Sequence, residues 1–163
     1  MKILGIDPGY ERLGIAILER TTEARPQWYK EKVIFSECFK TSAKLEFSER
    51  LHLIGTEITR VIGKYKPEIL SIETLFLTTN QKTVMRVAEA RGVAIYEAAN
   101  AGLKIFEATP LQIKIATTGY GRADKNQVMK MVKILVKIDN EKKSDDELDA
   151  IAIALTAFAH LKC

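Results

Sequence analysis

The sequence predicts a mixed α/β fold: a five-stranded sheet, antiparallel over its first three strands and parallel after, flanked by helices. Two observations carry this. The first forty residues hold strand-length apolar runs broken by turn signals, with no helical period. From about residue 44 onward, helical periods alternate with two further short apolar runs, the pattern that places strands parallel to one another through crossover helices. No internal repeat, low-complexity tract or linker divides the 163 residues, so one domain spanning 1–163 is expected.

The elements follow in order. KILGID (2–7) reads as the first strand and LGIAILER (13–20) as the second, joined through a Pro8-Gly9 turn. WYKEKVIFSECF (28–39), rich in aromatic and β-branched residues, is the third, after a polar hairpin loop TTEARPQ (21–27). Leu51, Ile54, Ile58, Val61 and Tyr65 then recur at steps of three and four, predicting a helix from about Lys44 to Tyr65. It stops before Pro67, because a residue preceding proline disfavours helical backbone. EILSIE (68–73) is nearly continuous in apolar residues, as in a strand buried on both faces. The alanine-rich stretch from Gln81 to Ala101 predicts a helix, and KIFEAT (104–109) a last strand. Pro110 suits the first turn of a short helix. After the loop TTGYGRA (117–123), Asp124 caps KNQVMKMVKILVKI (125–138). Ser144 caps DDELDAIAIALTAFAH (145–160), whose apolar second half predicts a buried helix.

Composition narrows the setting. No apolar run approaches the roughly 18 residues a membrane span needs. The N-terminus lacks a signal-peptide layout, and Cys38 and Cys163 form no disulfide framework, so a reducing cytoplasm is expected. A net charge of +4 permits nucleic-acid binding without demanding it. Lys104, Lys114, Arg122, Lys125, Lys130, Lys133 and Lys137 crowd into one third of the chain, which by itself fits a solvated helix face equally well.

The acids carry more. Asp7 follows the core-like Ile3, Leu4 and Ile6 directly, and burying a carboxylate there costs several kcal/mol unless something compensates it. Glu73 ends the fourth strand in the same way. Asp146 and Asp149 stand three apart on the last helix and share one face. Asp145, Asp146 and Glu147 are also accounted for by the helix dipole, but Asp149 lies a turn and a half in. If strands one and four are neighbours and the last helix docks beside their ends, the four acids meet. Like charges held that close raise one another's pKa values, and a dication is their natural counter-charge. Oxygen ligands without His or Cys suit Mg²⁺ or Mn²⁺ rather than zinc. Two such ions about 3.5–4 Å apart activate water and stabilise the leaving oxygen in phosphodiester cleavage.

Five motifs, IDPG-x4-G (Ile6 to Gly14), SIE-x2-F (Ser71 to Phe76), EARGVAI (Glu89 to Ile95), GYG-x3-K (Gly119 to Lys125) and D-x2-DAIAIA (Asp146 to Ala154), stand in one register from Lys2 to about His160. Together they resemble the RuvC family of Holliday-junction resolvases. The resemblance implies a ribonuclease H-like fold and a homodimer that nicks opposed strands of four-way junction DNA with Mg²⁺, Mn²⁺ being expected to substitute. It implies a catalytic, metal-binding tetrad of Asp7, Glu73, Asp146 and Asp149. Some relatives carry histidine where Asp146 stands, and Asp145 is a register alternative by charge, though D-x2-D spacing favours Asp146. Lys114 and Lys125 match basic residues near the family's active site, where a lysine neutralises charge developing on the scissile phosphate. Arg122, in the same loop as Lys125, is a candidate phosphate contact. Phe76 matches an aromatic that stacks on bases near the crossover; the alternative is a core phenylalanine, but the polar TTNQK after it favours an exposed loop. The helix at 81–101 matches the family's dimer helix, and a RuvAB-type branch-migration complex is a further implied partner.

Rival readings remain at this level. Actin-like ATPases and sugar kinases also open on a strand, an aspartate and a glycine turn, but need two such domains. A non-catalytic nucleic-acid-binding module would have no use for all four acids. A related ribonuclease H-like nuclease on other branched DNA or RNA-containing substrates would have the same metal site. His52 and His160 read as structural, Cys38 as a small core or edge residue, and Tyr10 has no assignable role.

Overall fold

The computed structural model describes residues 1–20, 31–75, 81–138 and 142–161. The expected hairpin loop at 21–27, Phe76 with the loop after it, and Cys163 lie outside the described residues. In chain order the elements are β1 (Lys2–Asp7), β2 (Arg12–Arg20), β3 (Glu31–Lys40), α1 (Phe47–Tyr65), β4 (Ile69–Glu73), α2 (Gln81–Asn100), β5 (Lys104–Ala108), α3 (Pro110–Thr118), α4 (Lys125–Leu135) and α5 (Asp145–His160). The strands form one sheet in the order β3-β2-β1-β4-β5. β1 pairs antiparallel with β2, and β2 with β3, whereas β4 runs parallel to both β1 and β5. The expected five-stranded mixed sheet is present, with the first and fourth strands adjacent.

Strand alternation divides the core in two. Leu4, Ile6, Ile15, Ile17, Leu70 and Ile72 pack with Ile54, Ile58 and Val61 of α1 and with Ala90, Ala94 and Ala98 of α2. Ile3, Ala16, Leu18 and Ile69 point the other way, onto the apolar length of α5. Both faces are therefore covered, which is why the strands read as apolar runs rather than as alternation. Each such side chain contributes about 1.5–3 kcal/mol by leaving water. α5 also lies unusually near the sheet. A methyl group at Gly5 would collide with the Ala150 carbonyl oxygen, and the buried Ser71 hydroxyl donates to the Ile153 carbonyl at 2.7 Å.

Among the described residues four helix starts carry capping boxes: Thr109 with Gln112, Asp124 with Gln127 and Ser144 with Glu147, as the residue types require, and Glu46 with Glu49. Two helix boundaries depart from expectation by three residues. α1 begins at Phe47 rather than Lys44, because Ser42 to Leu45 close a turn and Glu46 and Glu49 form the capping box. α4 ends at Leu135 rather than Ile138. Lys137 takes left-handed backbone (φ 50°), and the Ile138 N–H returns to the Lys133 carbonyl at 3.0 Å. That is a Schellman stop with lysine where glycine is usual, so no sequence signal marks it.

Tyr10 gains a structural role. Its carbonyl accepts hydrogen bonds from the Thr41 hydroxyl (2.5 Å) and from Arg50 (3.2 Å). Its ring meets Phe47 edge-on at 5.8 Å, with the Arg50 guanidinium 4.9 Å from the ring centroid. The buried Arg50 thus ties the turn after β1 to α1 and holds the end of β1 in place.

Candidate active site

The β1–β4 register pairs Ile6 with Ile72, so Asp7 and Glu73 stand side by side at adjacent strand ends. Asp7 shares its face with Ile3 and Gly5, and Glu73 shares its face with Ile69 and Ser71, the face covered by α5. Gly14, opposite Asp7 on β2, leaves the space into which α5 begins. A methyl group there would collide with the Asp146 carbonyl oxygen and stand 3.1 Å from the Asp7 Cβ. A side-chain-free position on β2 thus lets the first turn of α5 lie over the ends of β1 and β4.

The electrostatics register this crowding. Burial, then the charges of Asp149, Glu73 and Asp146, push the Asp7 carboxyl up to about 7, with Lys125 pulling weakly the other way. Burial followed by the Asp149 charge raises Glu73. Asp149 is raised by burial against the opposing hydrogen bond and charge of Lys125. The four acids expected from sequence share one electrostatic neighbourhood.

They do not form a closed cage. Among the described residues, no three His, Cys, Asp or Glu side chains are gathered closely enough to hold a metal ion. The chain's own cations pair with two of the four acids. Arg12 donates from Nε to Asp146 Oδ2 at 2.9 Å and from Nη2 to the same oxygen, and Cys38 Sγ lies 3.5 Å from it. The Arg12 hydrogen bond holds Asp146 below the usual carboxylate range. Lys125 Nζ lies 3.1 Å from Asp149 Oδ2 and 3.6 Å from Asp145 Oδ2. Burial works against the lysine's charge, but the Asp149 hydrogen bond and charge outweigh it and raise its pKa. Asp145, with a side chain 69% exposed, reaches the group through its charge, which raises Asp149, and through Lys125, while the Asp146 side chain is 20% exposed. The donor set fits a hard divalent ion: carboxylate oxygens outnumber cations, and burial, then the charges of the neighbouring acids, hold one of them, Asp7, near 7.

The remaining candidates are placed less closely. Lys114 is half-buried on α3 and Arg122 exposed between α3 and α4, and neither forms an ion pair with the acids among the described residues. His160 Nδ1 lies 2.9 Å from the Thr156 carbonyl oxygen and its ring packs on Phe106, while His52 lies exposed on α1, so neither approaches the acids. Sequence reasoning missed three residues here. Arg12 and Cys38 were legible in principle, since strand alternation puts Arg12, Gly14 and Ala16 on one face and the register sets Cys38 opposite Gly14. Arg91 donates from Nε to the Glu73 carbonyl at 2.8 Å and pairs through Nη2 with Glu107, a long-range contact that no local pattern announces.

The sheet order β3-β2-β1-β4-β5, with α5 laid across the ends of β1 and β4, is a ribonuclease H-like arrangement. A family model described as crossover junction endodeoxyribonuclease RuvC matches residues 3–157. The chain belongs to that family. It is 43% identical over 155 residues to the crossover junction endodeoxyribonuclease RuvC of Halothermothrix orenii, covering 95% of this chain and 90% of the relative. The corresponding protein of Alkaliphilus metalliredigens is 44% identical over 155 residues, covering 95% and 91%. Among solved structures, Thermus thermophilus RuvC in complex with Holliday junction substrate superposes with a TM-score of 0.87 at 28% identity, covering 97% of this chain and 93% of that one. The fowlpox virus Holliday junction resolvase, 14% identical with a TM-score of 0.57 and covering 99% of this chain and 100% of that one, shares the fold. No helix among the described residues is long and apolar enough to cross a membrane.

Proposed function

We propose that this chain, acting as one nuclease domain over 1–163, resolves four-way DNA junctions by paired symmetric nicks as a Mg²⁺-dependent homodimer in the cytoplasm. The observation that carries the reading is the set of acids at the end of the sheet, where the charges of three other carboxylates help to hold Asp7 near 7. The Thermus thermophilus relative solved with a Holliday junction substrate supports the choice of substrate. In this reading Asp7, Glu73, Asp146 and Asp149 hold Mg²⁺, with Mn²⁺ able to substitute. Divalent ions bound there supply water activation and stabilisation of the leaving oxygen.

The chain's own groups do the rest. Lys125, at the first turn of α4 and within reach of Asp149, is set to neutralise charge on the scissile phosphate, with Lys114 as a second cation on the same side of the sheet. The exposed Arg122 and the free N–H groups at the start of α4 bind flanking phosphates. Phe76 stacks on bases near the crossover. α2 supplies the dimer contact, and its exposed Met85 and Tyr96 are apolar surface suited to it. A RuvAB-type branch-migration complex is the further partner.

The test uses a synthetic four-way junction, a linear duplex of matching sequence and an RNA–DNA hybrid, each with Mg²⁺ or EDTA. Paired nicks confined to the junction and abolished by EDTA are expected. Cleavage of the hybrid instead would transfer the activity to a related nuclease class, and binding without metal-dependent cleavage would reduce the chain to a junction-binding protein. Phe76→Ala is expected to slow resolution by about ten-fold or more, in line with about 1–3 kcal/mol for one base–aromatic stack. Metal affinity in that variant should stay at the wild-type value. Resolution at the wild-type rate would return Phe76 to the core.

A further inference from the structure

Asp146 is occupied by the protein itself. Both contacting nitrogens of Arg12 converge on Oδ2, and Cys38 Sγ approaches the same oxygen. A carboxylate oxygen offers about two good acceptor directions, so Oδ2 has little left to offer a cation. We propose that Arg12 is an internal counter-ion that occupies Asp146 in the DNA-free protein and gives it up to metal when a DNA phosphate takes the guanidinium. The proposal rests on the reading of Asp146 as a metal ligand.

Three further observations bear on it. The acids as they stand are not gathered closely enough to hold an ion, and the partner of Asp146 lies on β2, on the far side of Asp7 from Glu73. The pair is also asymmetric in exposure: the Arg12 side chain is 49% exposed and the Asp146 side chain 20%. The cation is therefore the member that solvent, and a phosphate arriving at the acids, reaches first. Finally, Arg12 directs two nitrogens at one oxygen instead of forking across both, whereas a phosphate offers the guanidinium two oxygens at once. Exchange from carboxylate to phosphate thus improves the geometry for arginine and frees Asp146 in one step. A half-exposed ion pair of this kind is weak enough to be exchanged.

A purely structural brace makes the opposite prediction. If Arg12 only held Asp146 in place for metal, removing it would weaken metal binding. If Arg12 competes with metal, removing it strengthens binding. The experiment is a Mn²⁺ titration of DNA-free wild type, Arg12→Gln, Arg12→Lys, Asp7→Asn and Asp146→Asn, read by the electron paramagnetic resonance signal of free Mn²⁺. Arg12→Gln is expected to bind Mn²⁺ about two- to five-fold tighter than wild type, with Arg12→Lys between the two. In junction cleavage, the Mg²⁺ concentration giving half-maximal rate should fall by a similar factor in Arg12→Gln while the junction KM rises. Equal or weaker Mn²⁺ binding by Arg12→Gln overturns the proposal. In that event, weaker binding by Asp7→Asn would show that the metal-site reading itself still holds. Binding at the wild-type level by both Asp7→Asn and Asp146→Asn would bring down that reading together with the proposal.

Discussion

Asp7→Asn should abolish junction cleavage, by about 10³-fold or more, and at the same time make the metal-free protein more stable at pH 8. The two effects have one origin. Loss of a ligand that positions a divalent ion removes on the order of 4 kcal/mol of transition-state stabilisation. Without metal, the Asp7 carboxylate is a liability, since burial and the neighbouring acids push its pKa up to about 7 in the folded state. Between about pH 4 and pH 7 the folded protein then binds a proton at Asp7 that the unfolded chain does not. Stability from this group therefore falls as pH rises through that window and stays low above it. Asparagine is never charged, so Asp7→Asn should regain on the order of a few kcal/mol at pH 8 and nothing near pH 4. Glu37, raised to about 7 by burial and its contact with Glu57, slopes in the same direction, so the difference between variant and wild type, not the raw curve, isolates Asp7. Thermal melts at both pH values with EDTA measure it. Adding Mg²⁺ at pH 8 should raise the wild-type midpoint more than that of Asp7→Asn. A variant that is less stable than wild type at pH 8 without metal would mean that Asp7 is not a strained charge at all.

Much of this architecture could be read from residue order. The apolar runs at 2–7 and 68–73 gave both strands, each ending on a costly acid, and the condition under which those acids meet, that the two strands are neighbours, holds in the β1–β4 register. The capping residues Asp124 and Ser144 announced their helices because capping is local chemistry. What stayed hidden depended on partners far apart in the chain. The Arg12–Asp146 pair joins residues 134 apart and the Arg91–Glu73 contact residues 18 apart; strand alternation gives the face of Arg12, but no local pattern names the partner of either arginine. Tyr10 was opaque for the same reason, since its partners Thr41 and Arg50 come from a different strand end and a helix. The acids were legible as a group because their burial is costly. Lys125 was named beside them, but Arg12 was not, because a half-exposed arginine costs little anywhere.

The glycine closing IDPG-x4-G shows how tightly the sheet and the site are joined, and Gly14→Ala should damage both. A methyl group there meets the Asp146 carbonyl oxygen and carbon, which are backbone atoms and cannot turn aside as a flexible side chain would. The first turn of α5 would have to lift from β2, at a cost of about 1–3 kcal/mol for overpacking and more if the Ser144 cap is disturbed. Because Asp146 rides on that turn and Asp149 follows directly after it, the lift also moves two of the four acids away from Asp7 and Glu73. Cleavage is therefore expected to fall by about 10²-fold or more even where the protein remains fully folded, since an ångström of misplacement at a reacting centre costs about that much. Gly5→Ala provides the contrast. Its methyl group meets the Ala150 carbonyl oxygen and the Ala154 Cβ, beyond Asp149 on α5 and clear of the turn that carries Asp146. It should destabilise as much or more while costing less activity per folded molecule. Cleavage normalised to the folded fraction from circular dichroism separates the two variants. If Gly14→Ala cuts at the wild-type rate once folded, the close approach of α5 to β2 does not set the geometry of the acids.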